Sequence, residues 1–193
     1  GKEAYNFVDY LKKCGQSLWQ ILPLSQTSFG DSPYQSFSIY AGNPYFISLD
    51  TLEEEGLLEH EEFAEIKWRE DPRYVDYAVM YENFYKVMKL AYKRFVLKKN
   101  GNVSGEYEAF IEENEWLRNY TLFMALKDAH GGKAWSEWEK PLRMRAPAAI
   151  AKAEKKYAKE MDFYCFLQFK FFEQWTKLKA YANENGIEII GDI

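Results

Sequence analysis

The apolar positions at the start of the chain recur at helical spacing. Within residues 2–14, Ala4, Val8 and Leu11 fall on one face, two lysines stand in the last turn, and Gly15 follows. A periodic apolar face with basic residues near its end and a glycine beyond it is typical of an amphipathic helix. The pattern predicts an α-helix over residues 2–14.

Two short apolar runs have a different character. LWQILPL, at residues 18–24, is brief and contains Pro23, and IEIIGDI, at residues 187–193, is β-branched and follows Gly186. Short apolar runs bounded by breakers predict buried strands. Because a helical pattern precedes each run, the order favours an α/β fold with a parallel sheet covered by helices on both faces.

The sequence between the two runs is mostly helical in pattern. Apolar residues recur near helical spacing over residues 61–99, 105–145 and 147–182. This is far more chain than a single crossover between neighbouring strands requires. We therefore expect a segment of a larger α/β protein that carries a large, mostly helical insertion, divided into residues 1–59, 60–146 and 147–193.

A long turn-rich stretch follows the first apolar run. Residues 23–45 read PLSQTSFGDSPYQSFSIYAGNPY, and connections of this length in compact domains are usually binding loops or disordered linkers. The aromatic residues argue against disorder. Pro33 restricts Ser32 to an extended conformation and fixes its own φ, which holds Tyr34 in a defined direction.

The carboxyl ends of parallel strands are where α/β proteins bind ligands. The loop after LWQILPL and Asp192, near the end of IEIIGDI, are expected to face one site there. A directed tyrosine ring offers an apolar face that suits a sugar, although rings in such loops also pack against the scaffold. Asp192 poses the same choice, because a carboxylate closing a buried strand requires either a partner or a site opening.

Composition narrows the classes of partner. The chain has 193 residues, 47% of them apolar, with 25 basic and 30 acidic residues and a net charge of −5. That balance lacks the positive field that nucleic-acid binding requires. The apolar stretch FYCFLQFKFF is interrupted by Gln168 and Lys170 and is too short for a membrane span, and no signal peptide is apparent.

The residues that most often ligate metals show no ligand spacing. Cys14 and Cys165 stand apart within helical patterns and are expected to be reduced and packed. His60 and His130 are lone histidines, expected at the surface or in packing. The acidic run LEEEGLLEHEE is expected to form a solvated helix face, so no metal or cofactor is predicted.

Several long blocks of the sequence resemble one enzyme family. The run GQSLWQILPLSQTSFGDSPYQSFSIYAGNPYFISLD is similar to the early part of the 4-alpha-glucanotransferases of glycoside hydrolase family 77, called amylomaltases or disproportionating enzymes. The blocks YTLFMALKDAHGGKAWSEW and FYCFLQFKFFEQWTKLKAYANENGIEIIGDI, and the opening GKEAYNFVDYL, resemble the same family. The resemblance spans nearly the whole chain, and GDSPYQSFSIYAGNP is its most specific block.

The resemblance implies a fold and a set of site residues. It implies a segment of a (β/α)8 TIM barrel in which LWQILPL is the second strand and IEIIGDI the third. By the same carry-over, Tyr34 stacks on the donor glucose next to the cleaved bond, Ser32 and Asp31 shape that pocket, and Asp192 supports the sugar's hydroxyls. The implied partners are maltooligosaccharides or α-1,4-glucans and the remainder of the same catalytic domain, in a cytoplasmic enzyme.

The resemblance also implies what the chain lacks. Retaining enzymes of this kind use a carboxylate nucleophile and a carboxylic acid on either side of the scissile bond. In the family these groups lie on later strands, so no catalytic residue is expected among the 193, and the isolated chain is expected to be inactive. The alternatives are a segment of an α-amylase-type hydrolase and a non-catalytic helical interaction module, while donor length preference, oligomeric state and pathway stay open.

Overall fold

The computed structural model describes residues 1–27, 30–71, 73–99 and 104–192 as a helix-dominated α/β structure. Its contacts group the chain into two compact units, the first formed by Gly1–Val103 with Gln168–Ile193 and the second by Ser104–Leu167. The division into 1–59, 60–146 and 147–193 stays a prediction, and the observed grouping follows different boundaries.

The elements follow the helix, strand and helix order that the sequence predicts. The strands are β1 (Leu18–Gln20) and β2 (Glu188–Ile190), and a 3₁₀ turn covers Pro44–Phe46. The first unit has helices α1 (Lys2–Lys13), α2 (Leu49–Glu54), α3 (Glu61–Ala64) and α4 (Tyr77–Lys99). The second has α5 (Ser104–Glu113), α6 (Trp116–Ala129), a 3₁₀ turn at Trp135–Glu137, α7 (Lys140–Arg143) and α8 (Pro147–Lys156), while α9 (Ala158–Glu184) has residues in both units.

The first helix agrees with its apolar periodicity. Val8 is fully buried and packs with Ala182 and Ile187 into one cluster, to which Leu11 and Trp19 add partly buried surface. Cys14 lies just past the end of α1 and is exposed, so the expectation that both cysteines are packed is correct only for Cys165. The shared cluster holds α1 beside β1 and the start of β2.

The two strands pair in parallel, as the helix and strand order predicts. Trp19 lies opposite Ile189, and the amide of Ile21 donates to the carbonyl oxygen of Ile190 across 2.9 Å. The expected burial of both strand faces is wrong for the described residues, because Leu18 is 53% exposed and Ile190 is 43% exposed. In this sheet of two described strands, only the face that packs against the helices is covered.

The helical stretches are more interrupted than their periodicity suggests. Within residues 61–99 the described helices are α3 and α4, and between them Trp68 Nε1 donates to the carbonyl oxygen of Phe63 across 2.9 Å. The predicted helix over 147–182 breaks at Tyr157, whose ring packs against a buried cluster of Leu122, Leu126, Trp138 and Ala153. Helices therefore end at positions where the apolar periodicity continues.

The acidic run LEEEGLLEHEE, which begins within α2 and ends within α3, is only in part a solvated face. Glu62 accepts hydrogen bonds from Nη1 and Nη2 of Arg94 at 2.6 and 2.9 Å, and Glu55 pairs with the buried Lys170 at 2.8 Å. The guanidinium of Arg94 lowers the pKa of the Glu62 carboxyl. These ion pairs attach the acidic run to α4 and α9 within the first unit.

Candidate sugar-binding site

A tyrosine and an aspartate meet where the two parallel strands end. The hydroxyl of Tyr34 donates to Oδ2 of Asp192 across 2.8 Å, although 158 residues separate them in sequence. Tyr34 is 59% exposed, while Asp192 is half-buried. The hydrogen bond to the carboxylate, with smaller effects of burial and charge, raises the pKa of Tyr34.

A tight turn directs Tyr34 toward Asp192. Gly30 and Asp31 both have left-handed φ values, 83° and 53°, which suit glycine and are tolerated by aspartate. Pro33 then occupies the second position of a turn that closes when the amide of Gln35 donates to the carbonyl oxygen of Ser32 across 3.1 Å. Ser32 Oγ also accepts from the amide of Tyr34 at 3.3 Å.

The base of the loop is closed by backbone pairing. Thr27 pairs with Ser36 and Ser25 pairs with Gly42, both in antiparallel bridges. The amide of Asn43 donates to the carbonyl oxygen of Leu24 across 2.7 Å. The loop is therefore an ordered structure around the turn; Ser28 and Phe29, which belong to the predicted stretch 23–45, lie outside the described residues.

A second tyrosine of the loop lies near Asp31. Burial, followed by the negative charge of Asp31 and the neighbouring Tyr81 and Tyr77, raises the pKa of Tyr45 to about 12. The Tyr45 ring packs edge-on against Phe84 of α4, with ring centroids 5.3 Å apart. Tyr45 is not among the site residues predicted from the sequence, although its place beside Pro44 in a turn-rich segment was an available signal.

The four predicted site residues thus have distinct placements. Tyr34 and Asp192 are in direct contact, Ser32 holds the backbone of Tyr34, and the charge of Asp31 acts on Tyr45. A tyrosine that is largely exposed and has its hydroxyl fixed to a carboxylate can pack its ring on the C–H face of a sugar. Whether these residues bind sugar stays a prediction.

A separate apolar cavity of about 310 Å³ lies elsewhere in the first unit. Its lining includes Tyr5, Trp19 and Trp175, and none of the four predicted site residues is among the described residues that line it. The candidate sugar-binding surface is therefore the one around Tyr34, apart from this cavity.

The described residues contain neither a metal-binding cluster nor a helix that could span a membrane. Among the described residues, no group of three or more His, Cys, Asp or Glu side chains is arranged to hold a metal ion. Within the same part of the chain, every helix is too short or too polar to cross a bilayer. His60 is exposed beside Glu53, and the His130 ring stacks on Trp138 with centroids 5.1 Å apart.

Comparison with known proteins gives one consistent family. The profile of the 4-alpha-glucanotransferase family matches residues 1–193. The chain is 44% identical over 194 residues to the 4-alpha-glucanotransferase of Clostridium butyricum and 44% identical over 194 residues to that of Thermus thermophilus. These alignments cover 100% of this chain and 39% and 38% of the relatives, so the chain spans less than half the length of either relative.

A solved structure extends the comparison to the fold. The amylomaltase from Streptococcus agalactiae in complex with acarbose superimposes with a TM-score of 0.94 at 40% sequence identity. The match covers 100% of this chain and 39% of that protein. The helix-dominated α/β arrangement described above is therefore one that a solved amylomaltase shares.

Proposed function

This chain belongs to the 4-alpha-glucanotransferase family, glycoside hydrolase family 77, and from that membership we propose that it supplies donor-sugar binding to a glucan-transferring enzyme. The observation that carries the proposal is the hydrogen bond between Tyr34 and Asp192 at the carboxyl ends of two parallel strands. That edge of a parallel sheet is where α/β enzymes bind their substrates.

In the proposal, β1 and β2 are the second and third strands of a (β/α)8 barrel. Their parallel register and the exposed face of Leu18 and Ile190 support that assignment, because barrel strands are buried on both faces by the rest of the barrel. The helical stretch between them is the proposed insertion. The remainder of the catalytic domain is then the proposed partner of this surface.

The proposed reaction is a retaining double displacement. A carboxylate nucleophile, supplied by other parts of the enzyme, displaces one sugar from an α-1,4-glucan and forms a covalent glycosyl intermediate, while a carboxylic acid gives its proton to the departing 4-oxygen. The 4-hydroxyl of an acceptor sugar then attacks the intermediate, gives its proton to the second group, which was left as a carboxylate by the first step, and releases the nucleophile. Transfer requires that the site favour an acceptor sugar over water.

Tyr34 and Asp192 have separate roles in this proposal. The ring of Tyr34 packs on the donor glucose next to the cleaved bond, and the carboxylate of Asp192 supports the sugar's hydroxyls. Their mutual hydrogen bond fixes the ring before the sugar arrives, which lowers the entropic cost of binding. Ser32 and Asp31 shape the turn that presents the ring.

The proposed substrates are maltooligosaccharides and α-1,4-glucans. The acarbose-bound amylomaltase supports this class, since the chain shares 40% of its residues with that protein. A cytoplasmic location is part of the same proposal. The family match over residues 1–193 disfavours both an α-amylase-type hydrolase and a non-catalytic helical module.

Replacing Tyr34 in the complete enzyme tests the proposal. Tyr34→Ala is expected to lower kcat/KM for maltotriose disproportionation on the order of 10- to 100-fold, because the apolar face under the sugar is lost. Glucose release and the appearance of longer products are the measurement. Tyr34→Phe keeps the ring and is expected to lose much less activity.

Tyr10→Ala is the matched control, since Tyr10 on α1 is 60% exposed and Tyr34 is 59% exposed. Near-normal turnover of Tyr34→Ala removes the stacking role. Failure of the complete wild-type protein to lengthen maltotriose contradicts the transferase activity itself.

A further inference from the structure

We infer that Gln168 of α9 is a positioning residue for the site, because its buried carboxamide binds both backbone groups of Gly42 and thereby fixes the base of the loop that carries Tyr34. Oε1 of Gln168 accepts from the amide of Gly42 at 2.8 Å, and Nε2 donates to the carbonyl oxygen of Gly42 at 3.0 Å. The significance for sugar binding rests on the proposed function.

The burial of Gln168 makes the contact costly to lose. Its side chain is 0% exposed, and buried amides must satisfy both their donor and their acceptor. Gly42 presents one amide and one carbonyl in the same direction, as a strand does to its neighbour. A carboxamide has the complementary pair of groups, whereas a carboxylate or a hydrocarbon of the same length does not.

The same face of α9 also binds the backbone that follows Gly42 in the chain, at Ser48. Gln168, Phe171 and Gln174 are three residues apart and therefore share one side of the helix. A Cβ placed on Gly42 lies only 2.0 Å from Cε1 of Phe171, so the loop approaches the helix as closely as a glycine permits. Gln174 Oε1 accepts from the amide of Ser48 at 2.7 Å.

Backbone pairing links the Gln168–Gly42 contact to Tyr34. Gly42 pairs with Ser25 on the opposite side of the loop, and Thr27 pairs with Ser36, two residues after Tyr34. Because these pairs join both sides of the loop, fixing Gly42 also fixes the strand-like stretch that leads into the turn. The far end of Tyr34 is held independently by Asp192.

Gln168→Glu in the complete protein is the decisive variant. When neutral, a glutamic acid at this position accepts from the Gly42 amide and donates its O–H to the Gly42 carbonyl, as glutamine does. When ionised it has no donor and faces that carbonyl with a negative charge. Burial raises the pKa of such a carboxyl toward neutrality, so one variant provides both states.

Amide hydrogen exchange over residues 30–45, corrected for intrinsic rates, is the first measurement. The protection of the wild type is expected to be the same at pH 5 and pH 8. The Gln168→Glu loop is expected to match wild type at pH 5 and to lose protection about tenfold or more at pH 8. Equal protection of variant and wild type at both pH values overturns the inference.

Turnover of maltotriose, normalised to wild type at each pH, is the second measurement. Gln168→Glu is expected to recover kcat/KM at pH 5 and to lose it at pH 8 while amide protection outside residues 30–45 stays at the wild-type level, a combination that a general loss of stability does not produce. Loss of protection at pH 8 with unchanged turnover overturns the positioning role and leaves the proposed function standing. If the wild type does not act on maltotriose, the proposed function fails. The exchange measurement alone then decides whether Gln168 fixes the base of the loop.

Two further variants keep the test sharp. Gln174→Glu is the matched control, because the same residue type on the same helix face binds Ser48 instead of the loop base. It is expected to leave residues 30–40 protected at both pH values. Gln168→Met serves if the glutamate variant does not fold, and full loop protection in Gln168→Met also overturns the inference.

Discussion

Two tyrosines of this chain make the same hydrogen bond in opposite surroundings. Tyr34 donates to Asp192 at 2.8 Å in the first unit, and Tyr107 donates to Asp162 at 2.8 Å in the second. Tyr34 is 59% exposed, whereas Tyr107 is 0% exposed. The bond by itself therefore does not distinguish a candidate site from a structural contact; the position of the Tyr34 pair at the ends of the parallel strands and the exposure of its ring do.

The backbone that carries each pair differs as well. Tyr107 lies on helix α5 and Asp162 on helix α9, so backbone hydrogen bonds inside helices already fix both partners. Tyr34 lies in a turn, and side chains such as Ser32 supply the bonds that order it. A contact between two helices stabilises the fold at little conformational cost. An exposed ring on an ordered loop adds little to the fold, and such loops often carry binding residues.

Truncating both tyrosines to alanine gives the largest expected contrast. Tyr107→Ala is expected to lower the free energy of unfolding by about 3–5 kcal/mol, the range for large rings removed from a core. Tyr34→Ala is expected to leave the unfolding free energy unchanged, because its ring is largely in solvent. Urea denaturation followed by circular dichroism measures both free energies. An equal loss of unfolding free energy in the two variants shows that the Tyr34 ring is part of the core.

Removing only the hydroxyl groups gives a smaller contrast. Tyr107→Phe is expected to cost about 1–2 kcal/mol, because the Asp162 carboxylate loses a buried donor while the ring stays packed. Tyr34→Phe is expected to show no change in the denaturation midpoint, since water replaces its hydroxyl at Asp192. A larger loss for Tyr34→Phe than for Tyr107→Phe reverses the comparison.

The features that the sequence predicts well are those set by local pattern and chain order. The periodicity of Ala4, Val8 and Leu11 places α1 within one residue of its observed end. The order of helix and strand predicts that the two apolar runs pair in parallel, as Trp19 and Ile189 do. Because the strands are parallel, their carboxyl ends lie at the same edge of the sheet, so the segments that follow them start close together.

The features that sequence misses depend on what covers each residue. Strand burial fails at Leu18 because it depends on the partners of the second sheet face, which the apolar run itself does not encode. At the helix break, Tyr157 packs against residues of another helix, a contact that local periodicity does not encode. Gln168 did carry a signal, since a polar residue inside FYCFLQFKFF requires a buried partner, but the sequence does not name Gly42 as that partner.

A pH-dependent contact in the second unit gives the smallest expected effect. His130 Nδ1 lies 2.7 Å from the Leu126 carbonyl oxygen and Nε2 lies 2.8 Å from Glu139, so the protonated ring donates twice. The Glu139 contact, followed by the Leu126 contact, raises the pKa of His130 despite partial burial and the nearby charge of Lys133.

A raised pKa in the folded state means that this stabilisation is fully present below the unfolded pKa of about 6.5 and is lost as pH rises through the folded pKa. His130→Gln is therefore expected to lower the unfolding free energy most below pH 6.5, with the deficit shrinking above neutrality. His60→Gln is the control, since the His60 side chain is 64% exposed beside Glu53 and solvent screens that pair. A deficit for His130→Gln that stays constant between pH 5 and pH 9 shows that the ring acts by packing on Trp138 and that its charge contributes nothing.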